Sequence, residues 1–244
     1  MPLMTNQTLS LQVTKKMEIV LTPAGSDYSV DDSQWAINWF DVKSKWLYDL
    51  YNKLASPHVY EVGGRPFFKG RFIKRLLGEP SDEREILLIV NYTKAQDFLD
   101  MVGNKKFQIK SLIRESAVKD FTFGFVKRND SEERPELKVG KYDGQMKYMV
   151  HHFKNGHDSV DVEGLKSAAE AQGVSLHFSG IKAVMVERKQ SGGELKTASF
   201  LMDSILLFES ADEEKFELLL EMDHYQNFIQ QNESNYIGVF GREF

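Results

Sequence analysis

Six histidines and no cysteine limit the chemistry this chain of 244 residues can do. Without cysteine, disulfides, Cys-ligated zinc, iron–sulfur clusters and thiol catalysis are excluded. His151, His152 and His157 cluster in the sequence. Neighbours on a strand point to opposite faces, so His151 and His152 do not share one ion, and no His-x-x-x-His or carboxylate spacing supports them. No metal is therefore expected. No Ser/His/Asp set, Walker loop or pair of catalytic carboxylates stands out, and no catalytic residue is assigned. What remains are polar or amphipathic residues inside apolar strands. Asn38 lies between Ile37 and Trp39, Asn91 closes the run Ile-Leu-Leu-Ile-Val, and His177 lies between Leu176 and Phe178. A strand polar group buried without a partner costs about 1–3 kcal/mol, so a side chain, a water or a ligand must satisfy it. Asn38, Trp39, Asn91 and His177 are thus the ligand-pocket candidates. By alternation Asn38 shares a face with Ala36 and Phe40, the face expected to meet the helices.

These residues need elements to hold them. Residues 1–34 read as a polar, irregular extension with one strand candidate at Met17–Leu21. Trp35–Val42 reads as a strand. Leu47, Leu50, Tyr51 and Leu54 then follow a helical period, ended by Pro57. Gly63-Gly64 is a turn, Arg65–Leu76 a strand, residues 78–83 a hairpin loop and Glu85–Asn91 a strand. Thr93 and Gln96 have the spacing of a capping box, the device that satisfies backbone donors at a helix start. The helix behind them breaks at Gly103-Asn104 and restarts with Ile109, Leu112 and Ile113. Phe121–Val126 is the closing strand. Lys127–Gly144 reads as a linker. The order then repeats: strand Lys147–Phe153, helix Asp161–Gln172 ended by Gly173, strands Val174–Glu187 and Phe200–Phe208 around a Ser191-Gly192-Gly193 turn, a second box at Ser210 and Glu213, one long helix carrying Phe216 to Tyr225, and strand Asn235–Phe240. Matching Thr93 with Ser210, Phe107-Gln108 with Tyr225-Gln226, and Gly124 with Gly238 gives two βαββαβ units. The expected domains are an extension over 1–34, a first unit over 35–128, a linker over 129–145 and a second unit over 146–244.

βαββαβ is the ferredoxin-like order. The stretch Tyr60-Glu-Val-Gly-Gly-Arg-Pro-Phe-Phe-Lys-Gly-Arg71 and the break-and-restart at Lys105-Lys-Phe-Gln-Ile-Lys-Ser-Leu-Ile113 resemble the bacterial domain-of-unknown-function family 1330 of the dimeric α/β-barrel superfamily. The resemblance is thinner over residues 147–240, where Gly-Gly-Arg is absent. It implies an α+β fold in which tandem ferredoxin-like units form a single-chain dimeric α/β barrel, antiparallel sheets face to face. A bare sheet face carrying Phe121, Phe123 and Phe125, or their neighbours, would be too apolar to leave wet, which agrees with a second sheet covering it.

The function expected from this is binding of a small apolar or aromatic molecule in a sheet–helix cleft. Asn38 and Trp39 resemble the scattered Asn, Trp, Tyr and Arg with which cofactor-free mono-oxygenases of the same superfamily hold an aromatic substrate, so a cofactor-independent monooxygenase or isomerase is the alternative. A second alternative is a haem protein, because two-domain barrels of the chlorite-dismutase type resemble this layout and His224 lies on the long helix. No cofactor is expected in the main reading. Phe121-Thr-Phe-Gly-Phe-Val126 resembles the RNP1 strand of RNA-recognition motifs, but it falls on the fourth strand instead of the third, and the chain carries a formal charge of −5. No nucleic-acid partner is expected. No run of about 18 apolar residues is present, so no membrane partner is expected. A homodimer and a cytoplasmic location complete the expectations.

Overall fold

The computed structural model describes residues 9–14, 17–23, 32–129, 144–154, 160–190, 195–197 and 204–243. His157, the Ser191-Gly192-Gly193 turn and nearly all of the 129–145 linker lie outside them. The strands are β1 Leu9–Thr14, β2 Met17–Pro23, β3 Gln34–Val42, β4 Arg65–Leu77, β5 Ile86–Tyr92, β6 Val118–Arg128, β7 Lys147–Lys154, β8 Ser175–Gln190, β9 Leu195–Thr197, β10 Ser204–Ser210 and β11 Ser234–Arg242. The helices are α1 Lys45–Glu61, α2 Ala95–Gly103, α3 Lys105–Ala117, α4 Val162–Ala171, α5 Glu214–Glu221 and α6 Asp223–Gln231. None among the described residues is long and apolar enough to cross a membrane.

The elements β3-α1-β4-β5-α2/α3-β6 pair in the order β6-β3-β5-β4, and β7-α4-β8-β10-α5/α6-β11 pair in the order β11-β7-β10-β8. The pairs β3–β6, β7–β10, β7–β11 and β8–β10 are all antiparallel. The protein is therefore an α+β fold of ferredoxin-like order. The chain divides into two compact units, the first drawn from Met1–Phe67, Leu88–Lys127 and Lys182–Phe200, the second from Phe68–Leu87, Arg128–Ile181 and Leu201–Phe244.

In the first unit, β3 meets β6 with Ala36 opposite Phe125 and Asn38 opposite Phe123. Ala36, Phe123 and Phe125 pack under the helices with Ala55, Leu99, Met101 and Phe107. Phe98 of α2 stacks on Phe123 at 5.1 Å and meets Phe125 edge-on, also at 5.1 Å. The Phe-rich strand thus faces its own helices, and its neighbours Thr122, Gly124 and Val126 take the other face. In the second unit Met149, Phe153, Leu206, Phe208, Phe216, Tyr225 and Ile237 form the corresponding core.

The N-terminal segment is more ordered than the sequence suggested. β1 and β2 form an antiparallel hairpin, and β2 pairs along Val184–Gln190 of β8. Leu9, Leu11 and Val13 alternating with Ser10, Gln12 and Thr14 are the missed strand signal.

Pro57 lies inside α1 and does not end it. Proline cannot donate to the carbonyl four residues back. Beside that gap the Ser56 hydroxyl bonds the Asn52 carbonyl, and the Lys110 ammonium bonds the Leu54 carbonyl at 2.8 Å.

Neither expected capping box forms. α2 starts two residues after Thr93, and the Asp97 carboxylate accepts from the Lys94 N–H at 3.1 Å, while Gln96 bonds Asp100. At α5 the Ser210 hydroxyl accepts from Asp212 N, and Asp212 Oδ1 accepts from Glu214 N, so each cap falls later than predicted.

The long helix of the second unit is two helices. Met222 takes φ −69°, ψ 134° between α5 and α6, much as Asn104 takes φ −69°, ψ 120° between α2 and α3. On α3 Ile109 is 68% and Leu112 62% exposed, while Phe107 holds the buried position.

Candidate functional site

β3 presents Asn38 to the helix side, half-buried, with its Nδ2 donating to the Leu88 carbonyl of β5 at 3.2 Å and to the Ala36 carbonyl at 3.4 Å. Around it the helix-facing floor is aromatic. Phe123 stands directly opposite, and Phe121 stacks parallel to Phe123 at 6.2 Å. Phe121 shares this face with Phe123 and Phe125 by alternation, and just beyond it the β3–β6 register shifts between Trp39 and Asp41, where Asp120 adopts φ 48°. A single residue in the left-handed region is how a strand absorbs one extra residue.

The walls come from the helices. The Arg114 guanidinium of α3 lies 4.8 Å over the Phe121 ring. It also bonds the Tyr51 hydroxyl of α1; burial pushes the Tyr51 pKa up, and Arg114 opposes that shift. The Tyr92 hydroxyl behind them donates to Met101 Sδ at 3.7 Å. Its pKa is raised by burial first and by Tyr51 second, with Arg114 again opposing. Asn38, Leu88, Phe121, Tyr51 and Arg114 all keep part of their surface in solvent. The arrangement gathers an amide, a phenol and a guanidinium around the part-exposed side chains of Leu88 and Phe121.

Of the four residues singled out in the sequence, only Asn38 lies here. Trp39 is buried on the opposite face of β3, where its carbonyl accepts the Thr122 hydroxyl at 3.1 Å. Asn91 is buried and donates to Ser33 Oγ at 2.8 Å and to the Gln34 carbonyl at 3.2 Å. With Ser33 donating to the Tyr92 carbonyl, it ties β5 to the start of β3. His177 belongs to the second unit and occupies the extra position of a bulge, since Leu207 pairs with Phe178 and Phe208 with Leu176. Its ring meets Tyr148 at 5.8 Å and its Nδ1 lies 3.7 Å from Glu209. Tyr148 alternates with the core residue Met149, so His177 is on the face away from the helices.

Tyr51 and Arg114 were missed. Tyr51 passed as one more member of an apolar helical face. Arg114 stands two turns after the buried Phe107, and an arginine in phase with a core position was the available signal.

The residue that matches Asn38 in the second unit is His151. Aligning Gly124 with Gly238 sets Phe123 against Ile237, and Ile237 pairs with His151 as Phe123 pairs with Asn38. His151 is fully buried. Asn235 Nδ2 donates to the Ile229 carbonyl at 3.0 Å, which makes its Oδ1 the acceptor for His151 Nε2–H at 2.9 Å. Burial holds the His151 pKa down to about 4, with the Asn235 bond opposing, so the ring is neutral and its Nδ1 accepts the Tyr225 hydroxyl at 2.9 Å.

His224, needed for a haem ligand, is half-exposed and lies 3.8 Å from the Asp161 carboxylate at the start of α4. No cluster of three or more His, Asp or Glu suited to a metal ion occurs among the described residues.

No family model matches the chain, and no curated protein matches it. Solved structures similar to it include a protein of unknown function from Rhodopseudomonas palustris, 16% identical over 43% of this chain and 85% of that one, with a TM-score of 0.38. An anthrone oxidase-like protein is 12% identical over 89% of this chain and 94% of that one, TM-score 0.42. A mutant chlorite dismutase from Candidatus Nitrospira defluvii is 15% identical over 85% of this chain and 91% of that one, TM-score 0.44. The fold rests on the strand order and pairing, independently of these likenesses.

Proposed function

We propose that the first unit binds a small, flat apolar or aromatic molecule between its sheet and helices α1 and α3. The observation that carries this is Asn38, a half-buried amide on an otherwise apolar floor of Leu88, Phe121 and Phe123. Binding sites of this kind are mostly apolar with a few convergent polar groups. Calorimetric titration with 2-naphthalenemethanol tests it. Saturable binding is expected, weakened about tenfold or more when Leu88→Trp fills the floor. Binding unchanged in Leu88→Trp, or none in the natural chain, overturns the reading.

The rival is a cofactor-independent monooxygenase or isomerase, favoured by Tyr51 and Arg114 flanking the same floor. Oxygen uptake with polycyclic phenols, lost in Asn38→Leu, would select it; no uptake would leave binding alone.

We also infer that residues 35–128 and 146–244 are copies of one unit, the stretch between them a linker. What supports this is a shared detail at the helix breaks. Gln108 Nε2 reaches back six residues to the Val102 carbonyl, and Gln226 Nε2 reaches back six to that of Leu220.

A further inference from the structure

We propose that the molecule held in the first unit is a planar aromatic anion whose carboxylate is bound by Arg114. This rests on the cleft reading above and adds the ligand's charge to it.

A guanidinium keeps its proton at any working pH, and desolvating it is costly unless a counter-charge compensates. Elsewhere that compensation is visible. Arg71 pairs with Glu85 and Glu243, and Arg75 with Glu83. Arg65 and Arg84 reach backbone carbonyls. Among the described residues no carboxylate pairs with Arg114, which is half-buried against Phe121 and bonded to the neutral Tyr51 hydroxyl. Scarcity of acids is not the cause, because the chain has 36 Asp and Glu against 31 Lys and Arg. The contact with Phe121 is made through the guanidinium carbon, 4.8 Å from the ring centre, and a guanidinium so placed can offer N–H groups to a bidentate oxyanion. Asn38 spends its Nδ2 on the Leu88 and Ala36 carbonyls, so its Oδ1 remains to accept a ring hydroxyl.

The second unit shows the same place closed. Matching Gln108 with Gln226 carries Arg114 onto Asn232, and matching Gly124 with Gly238 carries Phe121 onto Asn235. Asn232 Nδ2 donates to Asn235 Oδ1 at 3.2 Å, the oxygen that also receives His151. There neutral amides and a neutral imidazole satisfy one another, with no unpaired cation. In the first unit the cation stands in an aromatic setting with no carboxylate partner among the described residues, and an aromatic carboxylate supplies both a ring and the counter-charge.

The test uses the full chain and two probes with one ring system, 2-naphthoate and neutral 2-naphthalenemethanol, titrated calorimetrically at low ionic strength. Naphthoate is expected to bind on the order of ten- to a hundredfold tighter, the range of a hydrogen bond to a charged group. Arg114→Gln should remove that preference while the neutral probe still binds, and Arg114→Lys should keep part of it. Equal affinities in the natural chain overturn the anion assignment and leave the cleft reading standing. A naphthoate preference that survives Arg114→Gln also overturns it, by placing the anion elsewhere. If neither probe binds, or if Leu88→Trp leaves both unaffected, the cleft reading itself falls. Thermal melts report whether Arg114→Gln folds; if it does not, salt decides in its place, since an ion pair at Arg114 predicts a naphthoate preference that shrinks as salt is raised.

Discussion

At His151 the direction of every proton is set by Asn235, and the ring has room in this network only as a neutral group. Burial depresses its pKa from the ordinary 6.5 to about 4, and burial also depresses that of the neighbouring His152, with His151 adding to the effect. The unfolded chain therefore binds protons that the folded chain refuses between these values. Stability from this source is fully present above pH 6.5 and is lost as the pH falls towards 4. The loss for His151 alone is about 3 kcal/mol. Urea denaturation in steps from pH 7 to pH 4.5 should show midpoints falling steadily, with a shallower fall in His151→Asn, the residue type of the first unit. Equal slopes in the two proteins would show that His151 does not carry the effect.

Asp120 makes the second residue-scale prediction. Its φ of 48° is a region β-branched side chains avoid and glycine enters freely. Asp120→Gly should leave stability nearly unchanged, and Asp120→Val should cost about 1–3 kcal/mol, read from denaturation midpoints. At this scale the sequence was legible where alternation ruled: His151 and His152, both buried, follow it, and Asn38 falls on the face of Ala36 and Phe123. It was illegible at Asp120, because nothing in its type announces an extra residue just before a run of alternating phenylalanines.

Among the elements, the helix starts show how local rules compete. Thr93-x-x-Gln96 satisfies a sequence template, yet Asp97 takes the job one residue later, because a carboxylate near a helix N-terminus is favoured by both hydrogen bonding and the helix dipole. The cap that matters at the break is Asn104, whose Oδ1 accepts from Lys106 N at 2.9 Å and Phe107 N at 3.4 Å. Asn104→Ala should cost about 1 kcal/mol. A cost no larger than that of an exposed substitution such as Lys105→Ala would show that the cap is idle. The break in the first unit could be read from Gly103-Asn104. Its twin at Met222 could not, since methionine is a good helix former and nothing in its type announces extended backbone. Only the match of Gln108 with Gln226 pointed there. Pro57 failed the other way: a residue that ends most helices lies inside α1, where Lys110 of a different helix reaches the nearby Leu54 carbonyl.

Across the whole molecule, the repeated strand–helix order was legible because it depends on periodicity, which each element carries in its own sequence. The difference between the two units was not, because it depends on which side chains meet. Arg114 with Phe121 and Asn232 with Asn235 look equally bland when read along the chain. One asymmetry has an optical consequence. The chain has three tryptophans, Trp35, Trp39 and Trp46, and all belong to the first unit. Two are buried, at 4% and 5% exposure, and Trp46 is open at 67%. Excitation selective for indole therefore sees the first unit alone, while circular dichroism in the far ultraviolet sees both. Acrylamide should quench the Trp46 fraction of the native emission and leave the rest. If the two signals melt at one midpoint, the units unfold as a single cooperative body; if they separate, the fluorescence curve is that of the first unit, measured in the intact chain with no label and no mutation.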